Sequence, residues 1–253
     1  MPFSDIGDIK HRATSSGILE VGDMDEVLKI TTAWCGYLRR RAFTPQATDE
    51  DMDVAEVGIR SAIEDLENLG VKKYGKEYQG DPDYRLEKIY IKYLTQARNW
   101  SAVRETFRRL IPRKGHDYDF WLRFYVWEMI TWSKLTYSES NPDTAPVARP
   151  TEATKVLQQA MRRTDLNWPE RILQMYLVHC EDHEDAEHLQ MATVDYWRQT
   201  NVLKRKRQQE VQEQYQYQQQ LAQLQSEPPH PSAATSTEDV DIPGKRKRGE
   251  EVR

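Results

Sequence analysis

From Asp23 onward, apolar residues recur at steps of three and four, and turn-forming residues cut that pattern into pairs of helices. The first stretch carries Val27, Ile30, Trp34, Tyr37 and Leu38. Its partner, over residues 49–69, carries Val54, Val57, Ala62, Ile63, Leu66 and Leu69, with Thr44-Pro45 at the turn and Gly70 expected as the C-cap. A second pair opens at Asp81-Pro82, where Asp caps a helix and Pro suits its first turn. Leu86, Ile89, Tyr90, Tyr93, Leu94 and Ala97 form one stripe, Val103, Phe107 and Leu110 the other, and Pro112 and Gly115 end the unit. The third pair has a first helix over residues 119–132 that is apolar nearly all round, as expected of a helix covered on both sides. A polar loop over 138–150 follows, and then a second helix with Ala153, Val156, Leu157, Ala160 and Met161. The fourth starts near Pro169 with Ile172, Leu173, Tyr176 and Cys180 and returns through Leu189, Ala192, Thr193, Tyr196 and Trp197.

The array predicted for residues 23–200 is flanked by segments without a core pattern. Residues 1–22 read as a frayed N-terminal segment, residues 201–225 as a basic and then Gln-rich extended helix, and residues 226–253 as a disordered tail too rich in Pro, Ser and Thr to bury a core. Only 11 glycines in 253 residues, few alternating β-branched runs, and abundant Leu, Ala, Gln, Glu, Lys and Arg predict an all-α fold. The formal charge of −5 and pI near 5.8 give no overall electrostatic match to a polyphosphate, although basic clusters remain as local contact points. Cys35 and Cys180 lie far apart and outside any Cys-x-x-Cys pair, as expected of free thiols in a reducing compartment. No apolar run approaches the roughly 18 residues of a membrane span, and Asp5, Asp8 and Lys10 replace a signal-peptide core, so a soluble intracellular protein is expected.

Motifs for chemistry are sparse. His179, Cys180, His183 and His188 cluster in sequence, and His179 and His183 share the i, i+4 spacing of zinc ligands. A metalloprotease helix needs Glu directly after the first His, and Cys180 stands there. The plainer reading is a solvated polar face with Cys180 turned inward. Phosphate-binding loops, dinucleotide fingerprints and nucleophile elbows are missing, and the acidic run Asp49, Glu50, Asp51 and Asp53 complements a helix N-terminus. No catalytic residue, metal or cofactor is expected. In the tail, Lys245, Arg246, Lys247 and Arg248 follow Pro243-Gly244 in the manner of an importin-read nuclear import signal. Lys204, Arg205, Lys206 and Arg207 form a second basic cluster, either a solvated helix end or a contact for RNA or a partner.

Several of these residues resemble half-a-TPR (HAT) repeats. Trp121, Phe124 and Glu128 have the spacing of the repeat's first helix; Arg104, Thr106, Phe107, Arg109 and Leu110 resemble its second-helix pattern, with Thr106 a loose match. Tyr90 and Tyr93 fill the aromatic positions one repeat earlier, 31 residues before Trp121 and Phe124, a period within the 20 to about 50 residues of solenoid units. Trp34 and Tyr37 repeat the relation again, and Tyr176 lies in the fourth pair. These eight candidate packing residues (Trp34, Tyr37, Tyr90, Tyr93, Phe107, Trp121, Phe124 and Tyr176) imply a right-handed superhelical solenoid of antiparallel helix pairs.

Specific strings extend the resemblance: Tyr-Leu-Arg-Arg-Arg at 37–41, Asp-Tyr-Arg-Leu-Glu-Lys-Ile-Tyr at 83–90, Trp-Leu-Arg-Phe-Tyr at 121–125 and Trp-Pro-Glu at 168–170. Over about residues 20–210 the chain resembles the C-terminal HAT half of the U4/U6 snRNP annealing and recycling factor family. That family is known in animals as squamous cell carcinoma antigen recognised by T cells and in fungi as pre-mRNA-splicing factor 24. The resemblance implies a nuclear, non-catalytic scaffold for pre-mRNA splicing that docks spliceosomal or snRNP proteins and dimerises through its C-terminal repeats. Contact with U6 or U4/U6 snRNA would be indirect, and import would proceed through importin. These 253 residues include neither the family's N-terminal HAT half nor an RNP-type aromatic motif, so a fragment, truncated gene model or split form is expected and annealing activity is not carried over. A HAT scaffold of mRNA 3′-end processing and a direct RNA binder using the basic helix end are the alternatives.

Overall fold

The computed structural model describes residues 7–9, 11–12, 23–139 and 149–226, and among them there is no strand. The helices are α1 Met24–Ala42, α2 Asp49–Tyr74, α3 Arg85–Gln96, α4 Trp100–Lys114, α5 Tyr118–Glu139, α6 Thr151–Met161, α7 Pro169–His183 and α8 Ala186–Ser226. The all-α expectation holds for the described residues. Contacts divide the chain into two compact units, residues 1–196 and residues 197–253.

Within the first unit, α1 packs on α2 and α3, α2 on α3, α3 on α4, α5 on α6 and α7, and α6 on α7. All of these contacts fall between helices that are adjacent or one further along in sequence. The connections are set by side chains that satisfy the open N-terminal N–H groups. Thr48 and Asp51 make a reciprocal capping box, the Thr48 hydroxyl accepting from the Asp51 N–H at 3.3 Å and the Asp51 carboxylate accepting from the Thr48 N–H at 3.1 Å. Arg41, in the last turn of α1, donates twice to the same carboxylate, at 3.0 and 2.6 Å, tying the end of one helix to the start of the next. Asp81 accepts from the N–H groups of Asp83 and Arg85, so α3 starts at Arg85, behind Tyr84 in the left-handed region at φ 39°. Asn99 caps α4, and Pro169 opens α7 at a position where its missing N–H is no loss.

Two expectations about α2 are corrected. Gly70 does not end the helix. It is buried mid-helix, where a Cβ would collide with the ring of Tyr78, and the helix continues to Tyr74 before stopping at Gly75 with φ 84°. The buried face is Ala55, Ile59 and Leu66, whereas Val54 and Val57 are exposed. Gly58 sets this phase: a Cβ there would stand 2.7 Å from Leu38 Cδ1, so α1 approaches α2 along the side that lacks bulk.

The main core of the first unit draws Leu38, Ile59, Leu86, Leu94, Val103, Phe107, Leu110, Phe120 and Trp121 into one cluster, and Leu157, Tyr176, Cys180 and Ala192 form a second, smaller one. Each fully buried aromatic contributes several kcal/mol as an upper estimate, at about 25 cal/mol per Å² over roughly 150 to 250 Å². In the second unit the described residues, 197–226, are helical, and Trp197, Val211, Tyr215 and Tyr217 are all exposed. Trp197 therefore does not belong to the apolar stripe predicted for the fourth pair.

Candidate functional site

The packing residues meet around α4 and α5. Phe107 stacks on Phe124 with ring centroids 4.3 Å apart and planes 9° from parallel, and meets Phe120 edge-on at 6.0 Å. Trp121 is wholly buried, and its indole N–H donates to the Gly115 carbonyl at 2.7 Å. Beside these rings, the guanidinium of Arg104 on α4 donates from Nε and Nη2 to the two oxygens of Glu128 on α5, at 2.8 and 2.9 Å. Glu128 is 2% exposed, so a buried carboxylate is held by one bidentate partner. The Glu128 bond holds the Arg104 guanidinium above its usual range. Arg104 also lies over the Trp127 ring at 5.8 Å, and the Trp127 indole donates to Thr95 at 2.8 Å, linking α5 back to α3. Arg109, the second arginine of the pattern, is exposed instead.

The remaining candidate packing residues sit at varied depth. Tyr93 is buried and donates its hydroxyl to the Met52 carbonyl at 2.8 Å, and burial pushes that hydroxyl up to about 12. Tyr90 is half-buried and runs parallel to Tyr93 at 6.4 Å; Trp34 and Tyr37 are half-buried and 6.0 Å apart. Tyr176 is buried in the smaller core and accepts a hydrogen bond from Gln158 at 3.3 Å.

The His/Cys cluster is not the solvated face expected of it. His179 is 1% exposed and lies between Tyr125 and Thr154. The single Thr154 hydroxyl hydrogen faces two acceptor oxygens, Glu184 at 2.7 Å and the Pro150 carbonyl at 3.2 Å, so the Thr154 oxygen accepts from His179 Nε2–H at 2.8 Å and leaves Nδ1 to accept from the Tyr125 hydroxyl at 3.1 Å. Burial, followed by the nearby His183, lowers the imidazole to about 4. Both ring nitrogens are engaged, and among the described residues no group of three His, Cys, Asp or Glu side chains could hold a metal ion. Cys180 is buried, as expected, and burial pushes its thiol up. His188 belongs to a separate contact with Asp185 at 2.6 Å, which raises its imidazole above the usual range.

α5 is less enclosed than its sequence implies. The all-round apolar character of this helix predicts cover on both sides, yet Val126 and Ile130 are 41% and 50% exposed. They line a groove of about 470 Å³ bounded by α3 and α5, with Phe107 of α4 at its base and Lys88, Lys92 and Arg123 among its lining residues. Sequence reasoning missed this groove. Its one signal was the surplus of aliphatics on α5.

Lys204, Arg205, Lys206 and Arg207 are all exposed on α8, with Lys206 3.8 Å from Glu210. The basic cluster Lys245, Arg246, Lys247 and Arg248 lies outside the described residues. Among the described residues no helix is long and apolar enough to cross a membrane.

No family model and no solved structure matches this sequence. The chain is 40% identical over 191 residues to the U4/U6 snRNA-associated-splicing factor PRP24 of Ophiostoma ulmi. The match covers 73% of this chain and 23% of that protein, so the chain spans about a quarter of the length of the curated relative it matches. Identity at that level over most of the chain supports a splicing-factor relationship.

Proposed function

We propose that this chain is a non-catalytic scaffold of HAT-type helix pairs that works in pre-mRNA splicing, in the assembly or recycling of the U4/U6 snRNP. The observation that carries this reading is the 40% identity over 191 residues to a protein named as a U4/U6 snRNA-associated splicing factor. Two features of the first unit support it. Helix contacts fall between elements that are adjacent or one further along in sequence, as in stacked hairpins, and two of the three side chains that define the repeat's first helix, Phe124 and Glu128, meet Phe107 and Arg104 of the preceding helix. On this reading the chain docks snRNP proteins, pairs with a second copy through its C-terminal repeats, and enters the nucleus when importin binds Lys245, Arg246, Lys247 and Arg248. Gradient sedimentation of nuclear extract tests the reading: the tagged chain should co-migrate with U4/U6 particles. Migration solely as free protein would reject it.

A second reading is favoured by α8, where the exposed Lys204, Arg205, Lys206 and Arg207 are followed by exposed Tyr215 and Tyr217. Cations beside open aromatic rings are the components of single-strand RNA contact. Affinity for RNA that falls steeply with salt, and is lost on reversing those four charges, would support direct binding.

A further inference from the structure

α5 carries more apolar surface than its neighbours cover. Leu122, Val126 and Ile130 recur every four residues and span about 12 Å of the helix at about 1.5 Å per residue. Single exposed aliphatics are ordinary, but these form a continuous stripe along one wall of the groove shared with α3. The opposite rim bears Lys88 and Lys92, and Arg123 stands on the α5 side, against a single carboxylate at Asp119. Elsewhere in this unit, half-buried guanidinium groups are matched: Arg85 by Asp25 and Asp81, Arg104 by Glu128, Arg113 by Glu67 and Glu87. Among the described residues no carboxylate lies within ion-pair distance of the three groove cations, and Asp83 and Asp81 act on Lys88 only from longer range. Lys88 instead lies 4.3 Å over the Tyr84 ring, and burial, followed by the charge of Arg123, holds its ammonium below the ordinary value.

We propose that this groove, walled by Leu122, Val126 and Ile130 and rimmed by Lys88, Lys92 and Arg123, receives an amphipathic helical segment of a partner protein whose apolar side chains are flanked by carboxylates. The inference rests on the interaction-module reading and names the chemistry of one partner. An aliphatic stripe of this length matches the i, i+3 or i+4, i+7 anchors of a helix laid in a groove. Carboxylates beside those anchors would supply the charge that the rim lacks, which favours encounter and register. Nucleic acid fits less well, because Tyr84 and Phe107 at the base are buried, the half-buried Trp127 ring is already met by Arg104, Trp100 and Phe107, and Asp119 opposes phosphate.

The test uses the full chain and a labelled amphipathic peptide of about 12 residues, with Leu at three positions spaced to match the stripe and Glu between them. Fluorescence anisotropy should report saturable binding that weakens several-fold as salt rises, at least ten-fold in the Lys88→Glu, Lys92→Glu double variant, and at least ten-fold in Val126→Asp. The same peptide with Lys for Glu should bind the double variant better than the wild type. Unchanged circular dichroism in the variants separates lost docking from lost folding. Three results overturn the proposal: no binding, binding indifferent to these substitutions, or competition by a single-stranded oligonucleotide that the same substitutions abolish. A dimer of the wild type that Val126→Asp dissolves would instead assign the groove to a second copy and reject the partner segment. Failure of peptide binding leaves co-migration with U4/U6 particles unaffected, so the two readings fail separately.

Discussion

Replacing Arg104 by Met should destabilise the protein more than replacing Glu128 by Ala, and replacing both should cost less than Arg104→Met alone. The asymmetry follows from burial. The Glu128 side chain is 3% exposed and that of Arg104 is 25% exposed, and the two are joined at 2.8 and 2.9 Å. Arg104→Met strands a carboxylate that water cannot reach, a loss of about 3 to 5 kcal/mol. Glu128→Ala strands a guanidinium that can still turn toward solvent and keep its contact with Trp127, a loss nearer about 2 to 3 kcal/mol. In the Arg104→Met, Glu128→Ala pair no charge is left behind, so much of the loss is recovered. At about 2 to 4 °C per kcal/mol for a chain of this size, the first variant should melt about 6 to 20 °C below the wild type. Thermal denaturation followed by far-ultraviolet circular dichroism, arranged as a double-mutant cycle, measures all three. If the double variant is as unstable as the two single losses added together, Arg104 and Glu128 do not act as a pair and the reasoning is wrong.

Trp121→Ala, at a wholly buried site, should cost about 3 to 5 kcal/mol or prevent folding, whereas Trp121→Phe should lose chiefly the bond to the Gly115 carbonyl, about 1 to 2 kcal/mol; equal melting temperatures would contradict this. His179 is held neutral near 4, below the value of about 6.5 in an unfolded chain, so the unfolded state takes up a proton first as pH falls. Its contribution is complete above about pH 6.5 and is lost on the way down to 4, amounting to about 2 kcal/mol at pH 5. Melting curves at pH 7 and pH 5 should therefore converge for His179→Gln relative to the wild type, and an unchanged pH dependence would count against the buried neutral imidazole. On α2, Val57→Lys should shift stability by less than about 0.5 kcal/mol while Ile59→Lys unfolds the unit, the order opposite to that read from the sequence.

Helical periodicity made the positions of most elements legible, because aromatics as large as Trp121 and Phe107 must be buried and the turns carry Pro or Gly beside them. Phase was harder. On α2 two overlapping stripes satisfy the same spacing, and only the contact of Leu38 against Gly58 decides between them. The burial of His179 was not visible for a related reason. Its partners, Tyr125 and Thr154, lie 54 and 25 residues away, and a histidine paired on both nitrogens looks in sequence like any polar residue. The Glu128 partner was closer to view, since Arg104 and Glu128 both belong to the repeat pattern, yet the pattern does not say which of Arg104 and Arg109 makes the bond. The exposed wall of α5 escaped because a helix apolar on every side has two explanations, burial by its own chain or surface kept for another, and composition does not separate them.

Capture of the tagged full chain from nuclear extract, with and without ribonuclease, distinguishes a protein scaffold of the U4/U6 pathway from a bystander. Spliceosomal proteins and U6 RNA should be recovered together, and the proteins should remain after the RNA is digested. Recovery of neither, or loss of every protein on digestion, would contradict the scaffold.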